Sequence, residues 1–115
     1  MQYLLLIYED ESIYGPDKNG PLMQIVGPQH MEFAKSLGPV WVTGAGLKVS
    51  TSATTLRNDG AERTLHDGPF PESKEQLGGF YLIDVADLDA AIAVARRMPL
   101  AEGGSVEIRP VIHRG

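Results

Sequence analysis

Residues 79–111 read GFYLIDVADLDAAIAVARRMPLAEGGSVEIRPV, and this stretch spells out strand, helix and strand in turn. In GFYLIDV, Phe80 and Leu82 point to one face while Tyr81 and Ile83 point to the other. Both faces are apolar, the pattern of a strand covered on both sides. Asp87 is suited to cap a helix whose Leu88, Ala91, Ile92 and Ala95 form a core stripe. Arg96 and Arg97 complement the helix's C-terminal dipole, and Pro99 ends it. In SVEIRPV, Val106 and Ile108 then alternate with Glu107 and Arg109, as in a strand with one apolar and one polar face.

Working outward, the first half has the same order. Residues 2–8 form an opening strand, with Leu4, Leu6 and Tyr8 on one face and Tyr3, Leu5 and Ile7 on the other. Turn chemistry in YGPDKNGP leads into a helical pattern from Pro21 to Leu37, clearest in His30, Phe33, Ala34 and Leu37. Pro28 lacks a backbone donor, so either the helix begins there or a longer helix kinks at Gly27-Pro28; Gly38-Pro39 is the stop. VWVTGAGL, residues 40–47, is a second strand on which Gly44 and Gly46 share a face, leaving room for a bulge or for a close approach to the backbone. ATTLRNDGAERTLH carries β-formers on both sides of Asn58-Asp59-Gly60, a hairpin. Glu72, Lys74 and Glu75 read as a solvated helical turn ended at Gly78.

The predicted order is strand, helix, strand, hairpin, strand, helix, strand. This is an α+β class, ferredoxin-like βαββαβ arrangement with an extra β-hairpin, in one domain over residues 1–115. Two helices cover one face of such a sheet, yet two strands are apolar on both faces. A second copy of the chain is the simplest cover, so a homodimer is expected.

Composition limits the function classes. Ten basic against fifteen acidic residues leave a net charge of -5, with no positive field for phosphates, so nucleic acid is not an expected partner. With no cysteine there is no disulfide, no thiolate chemistry and no Cys-ligated metal, and three scattered histidines give no metal-binding pair. No Gly-rich nucleotide loop or nucleophile elbow occurs, and neither cofactor nor metal is expected. The apolar run Tyr3–Tyr8 lacks a basic flank and meets Glu9, Asp10 and Glu11 at once, so we expect no signal peptide, no membrane association and a cytoplasmic protein.

Three segments carry a resemblance. YLLLIYEDE at the start, TLHDGPFPESKEQLGGFYLIDV at 64–85 and SVEIRPV at the end resemble the YCII-related, DGPF-domain family over nearly the whole chain. The resemblance implies a dimeric α/β barrel of ferredoxin-like subunits. It also implies kinship with small dimeric-barrel enzymes such as lactone isomerases and cofactor-free oxygenases, some of which use a His and Asp pair. Carried onto this chain, the pair is His30 and Asp67.

The residues themselves admit two readings each. His30 is either a semi-buried core histidine or a general base; Asp67, before Gly-Pro, either locks a turn or orients that base. His66 and Asp67 are consecutive, so in an extended segment they point to opposite faces and do not pair with each other. Arg109 lies on a solvated strand face, or clamps a carboxylate or enolate oxygen if that face looks into a dimer. Arg109, Phe70 and His66 are the expected substrate-binding residues. Two functions follow: a cofactor-free enzyme working by isomerase- or lyase-type proton transfer on a small molecule, or a non-catalytic dimeric module that binds a ligand or a regulatory partner.

Overall fold

The computed structural model describes residues 1–68 and 74–112. Strands β1 (Gln2–Glu9), β2 (Trp41–Gly46), β5 (Gln76–Asp84) and β6 (Ser105–Pro110) form an antiparallel sheet in the order β2-β5-β1-β6. Helix α1 (Pro21–Leu37) connects β1 to β2, and α2 (Leu88–Arg97) connects β5 to β6. Each helix thus links strands separated by one antiparallel neighbour, which is the ferredoxin-like split βαβ arrangement. Strands β3 (Thr54–Asp59) and β4 (Glu62–Asp67) form a separate two-stranded sheet, the extra hairpin.

Alternation sets the core. Tyr3, Leu5 and Ile7 of β1 and Tyr81 and Ile83 of β5 are buried against Leu37 of α1, Ala91 and Val94 of α2, and Met98. Leu5 and Ile83 are wholly excluded from solvent, each such side chain contributing about 1.5–3 kcal/mol of hydrophobic stabilisation. On the opposite face the register aligns Leu4 with Leu82 and Arg109, and Leu6 with Phe80 and Glu107. Those four apolar side chains are only half-buried.

Local signals account for the element ends. Asp87 caps α2 by accepting from the Ala90 N–H at 2.9 Å. Pro21 occupies the first turn of α1, where its missing N–H would be unpaired anyway, and Gly38 ends that helix at φ 56°. The helix runs from Pro21 to Leu37 with Pro28 inside it, so the helix does not begin at Pro28. In the hairpin, Asp59 pairs with Glu62 across Gly60, whose φ of 81° suits glycine.

Two expectations need correction. The segment just before Gly78 is not a helical turn: Gln76, Leu77 and Gly78 already belong to β5, Gln76 and Leu77 opposite Glu9 and Tyr8, with Gly78 skipped where the register shifts between Ile7 and Tyr8. Glu72 lies outside the described residues. On α2 the stripe is centred on Ala91 and Val94, and Leu88 in the first turn is exposed. Spacings of three and four are equally helical, so sequence alone placed the stripe slightly off its axis.

No helix among the described residues is long and apolar enough to cross a membrane.

Candidate functional site

A cavity of about 490 Å³ opens between α1, the β1-β5-β2 part of the sheet and the loop before α1. His30 reaches it because it shares the inward stripe of α1 with Phe33, Ala34 and Leu37. Tyr81 reaches it because it alternates with Ile83 on the helix-covered face of β5. Their side chains meet, with His30 Nδ1 2.6 Å from the Tyr81 hydroxyl. The rings meet edge to face at 5.8 Å, and Trp41 packs edge-on to Tyr81 at 5.1 Å.

The glycines of β2 and β5 make room for this cluster. A Cβ on Gly44 would lie 2.5 Å from the Trp41 ring and 2.6 Å from the Phe80 carbonyl oxygen, so the indole occupies space that only glycine leaves. A Cβ on Gly79 would lie 2.9 Å from the Ala45 carbonyl oxygen, so this glycine lets β2 approach β5. Of the two outcomes allowed for Gly44 and Gly46, the close approach occurs, at Gly44; the register shift of this strand falls between Trp41 and Thr43, before both glycines.

Charge enters the cavity from β1 and the preceding loop. Glu9 is buried at 6% exposure, on the same face as Tyr3, Leu5 and Ile7. Its carboxylate accepts from the Tyr14 hydroxyl at 2.8 Å and from the Ala101 N–H at 2.9 Å, which offsets the cost of burying it. Burial, and then the bond to Glu9, push the Tyr14 hydroxyl pKa upward. Lys18 also lines the cavity, and its Nζ donates to the Leu47 carbonyl at 2.8 Å. Asp17 and Lys18 both hold a left-handed backbone, φ 54° and 56°, which costs on the order of 1–2 kcal/mol per non-glycine residue.

The electrostatics make His30 a neutral imidazole near pH 7. Burial lowers its pKa below the ordinary value, and the charge of Glu9 opposes that shift. Burial pushes the Tyr81 hydroxyl up to about 12, so it keeps its proton. The Tyr81 hydroxyl also lies 3.5 Å from the His30 main-chain oxygen. A relay is thereby available in which His30 Nδ1–H donates to Tyr81 and Tyr81 donates to that carbonyl. In that tautomer the Nε2 lone pair is free, and Nε2 has no hydrogen-bond partner among the described residues.

Of the described residues put forward from sequence as catalytic or substrate-binding, His30 alone lines this cavity. Asp67 sits at the end of β4, exposed and opposite Thr54, so one chain does not bring it to His30; the carboxylate in the cavity is Glu9. His66 is exposed on the other face of the ribbon, its Nε2 3.1 Å from Thr64 Oγ1. Arg109 lies on the uncovered face of β6 and pairs with Glu107 at 2.8 Å. Phe70 lies outside the described residues. The parity of β1 and β5 carried a signal for Glu9 and Tyr81, since both fall on the face shared with Leu5 and Ile83. Nothing local announced Lys18, which arrives by the path of a loop.

A model of the YCII-related domain matches residues 1–114. An uncharacterised protein of Rhizobium meliloti (strain 1021) is 40% identical over 118 residues, covering 96% of this chain and 92% of the relative. The sequence segments that resembled this family, the split βαβ sheet and the match along the chain agree, and the chain belongs to the YCII-related family.

Proposed function

We propose that the cavity is the active site of a small-molecule enzyme working by proton transfer without a bound cofactor, with His30 Nε2 as the base and Tyr81 as the group that orients it. The observation that carries this reading is the 2.6 Å contact between His30 Nδ1 and the Tyr81 hydroxyl at the wall of a largely apolar cavity. A base must be neutral before it acts and fixed in direction while it acts. Burial supports the first requirement, and the bond to Tyr81 supports the second. The reaction class is abstraction of a proton next to a carbonyl, followed by its return to the same or a neighbouring carbon.

The enzyme acts, in this reading, as a homodimer. Leu4, Leu6, Phe80 and Leu82 form a half-buried apolar sheet face with no helix layer over it among the described residues, and a second copy would supply that layer. Arg109 on that face and Asp67 at the end of the hairpin would then lie at or near the interface between copies, outside this cavity.

The test is hydrogen–deuterium exchange at carbon. A panel of cyclic enol-lactones, aryl ketones and β-keto acids is incubated in D2O with the protein and followed by proton NMR. We expect at least one member to exchange faster with protein, and His30→Ala to remove about 10² to 10⁴ of that rate. No acceleration for any member, or equal rates with His30→Ala, overturns the proposal.

A further inference from the structure

Gly78 and Gly79 are adjacent on β5, yet their surroundings differ. A Cβ on Gly79 would meet backbone at 2.9 Å, so glycine is required there for the strands to pair. A Cβ on Gly78 would sit at ordinary contact distances, 3.6 Å from Lys18 Nζ, 3.9 Å from the Ile7 carbonyl oxygen and 4.0 Å from Glu9 Oε1. Its φ is not in the left-handed region either. Packing and backbone therefore both tolerate a side chain at Gly78. What its absence preserves is space at the end of the cavity where Lys18 lies.

The ammonium that bounds this space has unused capacity. Lys18 Nζ carries three donors, and Leu47 O is its one hydrogen-bond acceptor among the described residues, where Lys18 makes no ion pair. The left-handed backbone of Asp17 and Lys18 fixes where the side chain leaves the loop, and strain of this kind persists where the surrounding structure over-determines it. Glu9 Oε1 bounds the same space and its charge opposes an anion there, but each Glu9 oxygen accepts a bond, from Tyr14 and from Ala101, which offsets part of that charge, and Glu9 makes no ion pair with Lys18 among the described residues. The other charged residues of the lining, Asp17 and Lys48, are exposed and of opposite sign. The remaining wall is mostly apolar and includes Trp41, Met23, Val26 and Ala34.

Resting on the reading of this cavity as the active site, we propose that its substrate is a small apolar molecule bearing one carboxylate. The carboxylate binds Lys18 Nζ in the space left by Gly78, and the apolar body lies along Trp41 toward His30. Lys18 is the specificity-determining residue, and Gly78 keeps its ammonium accessible.

The experiment uses two probes of nearly equal shape, phenylacetate and phenylacetamide, titrated into the full chain and followed by amide chemical shifts and Tm. The expected result is that the acid binds at least about tenfold more tightly than the amide, as a charge-assisted hydrogen bond implies. Its shifts should map to Lys18, Gly78 and Trp41. In Lys18→Met the two probes should bind alike. Gly78→Val, which keeps a β-former in the strand, should keep the fold by its amide spectrum and lose affinity for phenylacetate. Equal binding of acid and amide to the unmodified protein, a preference that survives in Lys18→Met, or no shift with either probe overturns the inference. The proton-transfer reading fails separately: carbon exchange unaffected by His30→Ala would sink it even if phenylacetate binds as described.

Discussion

At the scale of the residue, the site depends on which face of a strand each side chain takes. Tyr81 and His30 meet because β5 turns its odd-numbered residues toward α1, and burial then moves their pKa values in opposite directions. Each shift has a consequence for stability. A histidine whose folded pKa is lowered binds its proton more readily in the unfolded chain. The stability it allows is complete above the unfolded value of about 6.5 and declines as pH falls toward the lowered folded value. Urea melts should therefore show a steeper loss of stability below pH 6.5 in the native protein than in His30→Gln. For Tyr81, raised from 10.0 to about 12, the unfolded chain loses its proton first, so stability should fall as pH rises across that interval, and less so in Tyr81→Phe. Asp67, exposed at the end of the ribbon, should tolerate Asp67→Ala with a change in stability within about 0.5 kcal/mol by chemical melts. A loss of 1–3 kcal/mol would instead restore to it the role of satisfying buried backbone donors.

At the scale of the element, the two glycines of β5 give the sharpest contrast. Gly79→Ala should cost about 1–3 kcal/mol, because its methyl meets the Ala45 carbonyl oxygen and the β2-β5 pairing must shift. Gly78→Ala should be nearly neutral in the same melts; similar losses for both would show that the two positions are equally crowded. Much of this level was legible in the sequence. The alternation in YLLLIY and FYLI set the central strands, and Asp87 and Gly38 set helix ends through local chemistry. The early start of β5 was not legible, because Gln76 and Leu77 gain strand geometry from pairing with Glu9 and Tyr8, residues distant in the chain. For the same reason the sequence shows His30 as a candidate but not its neighbours in the cavity. Tyr81 and Glu9 reach the cavity through the register of β1 and β5, whereas Asp67, the partner that the family resemblance implies, does not line it in one chain.

In the molecule as a whole, the helices among the described residues cover one sheet face and leave the other open. Leu5→Ala, on the covered face, should cost about 2–5 kcal/mol by removing a wholly buried side chain. On the uncovered face, burial by a second copy should appear as association. Light scattering at micromolar concentration should then report about twice the 12.5 kDa chain mass, and a monodisperse monomer would contradict the homodimer. The hairpin stands apart from this sheet, with Leu56 and Leu65 paired across its strands and exposed at 54% and 70%. The radius of gyration is 15.7 Å, against about 13 Å for a compact domain of this size, as an extended ribbon would produce. An isolated two-strand ribbon is marginally stable, so the hairpin, like the open sheet face, gains most from a partner chain.

If His30 is a neutral, oriented base held by Tyr81, NMR of its ring nitrogens will show it. Long-range nitrogen–proton correlation spectra of the ¹⁵N-labelled protein, recorded across a pH titration, report both tautomer and pKa. The expected result is an Nδ1–H tautomer at neutral pH that titrates below the ordinary imidazole value of about 6.5, with a changed tautomer balance in Tyr81→Phe. A His30 ring that titrates at or above 6.5, or that keeps the same tautomer balance when the Tyr81 hydroxyl is removed, would contradict it.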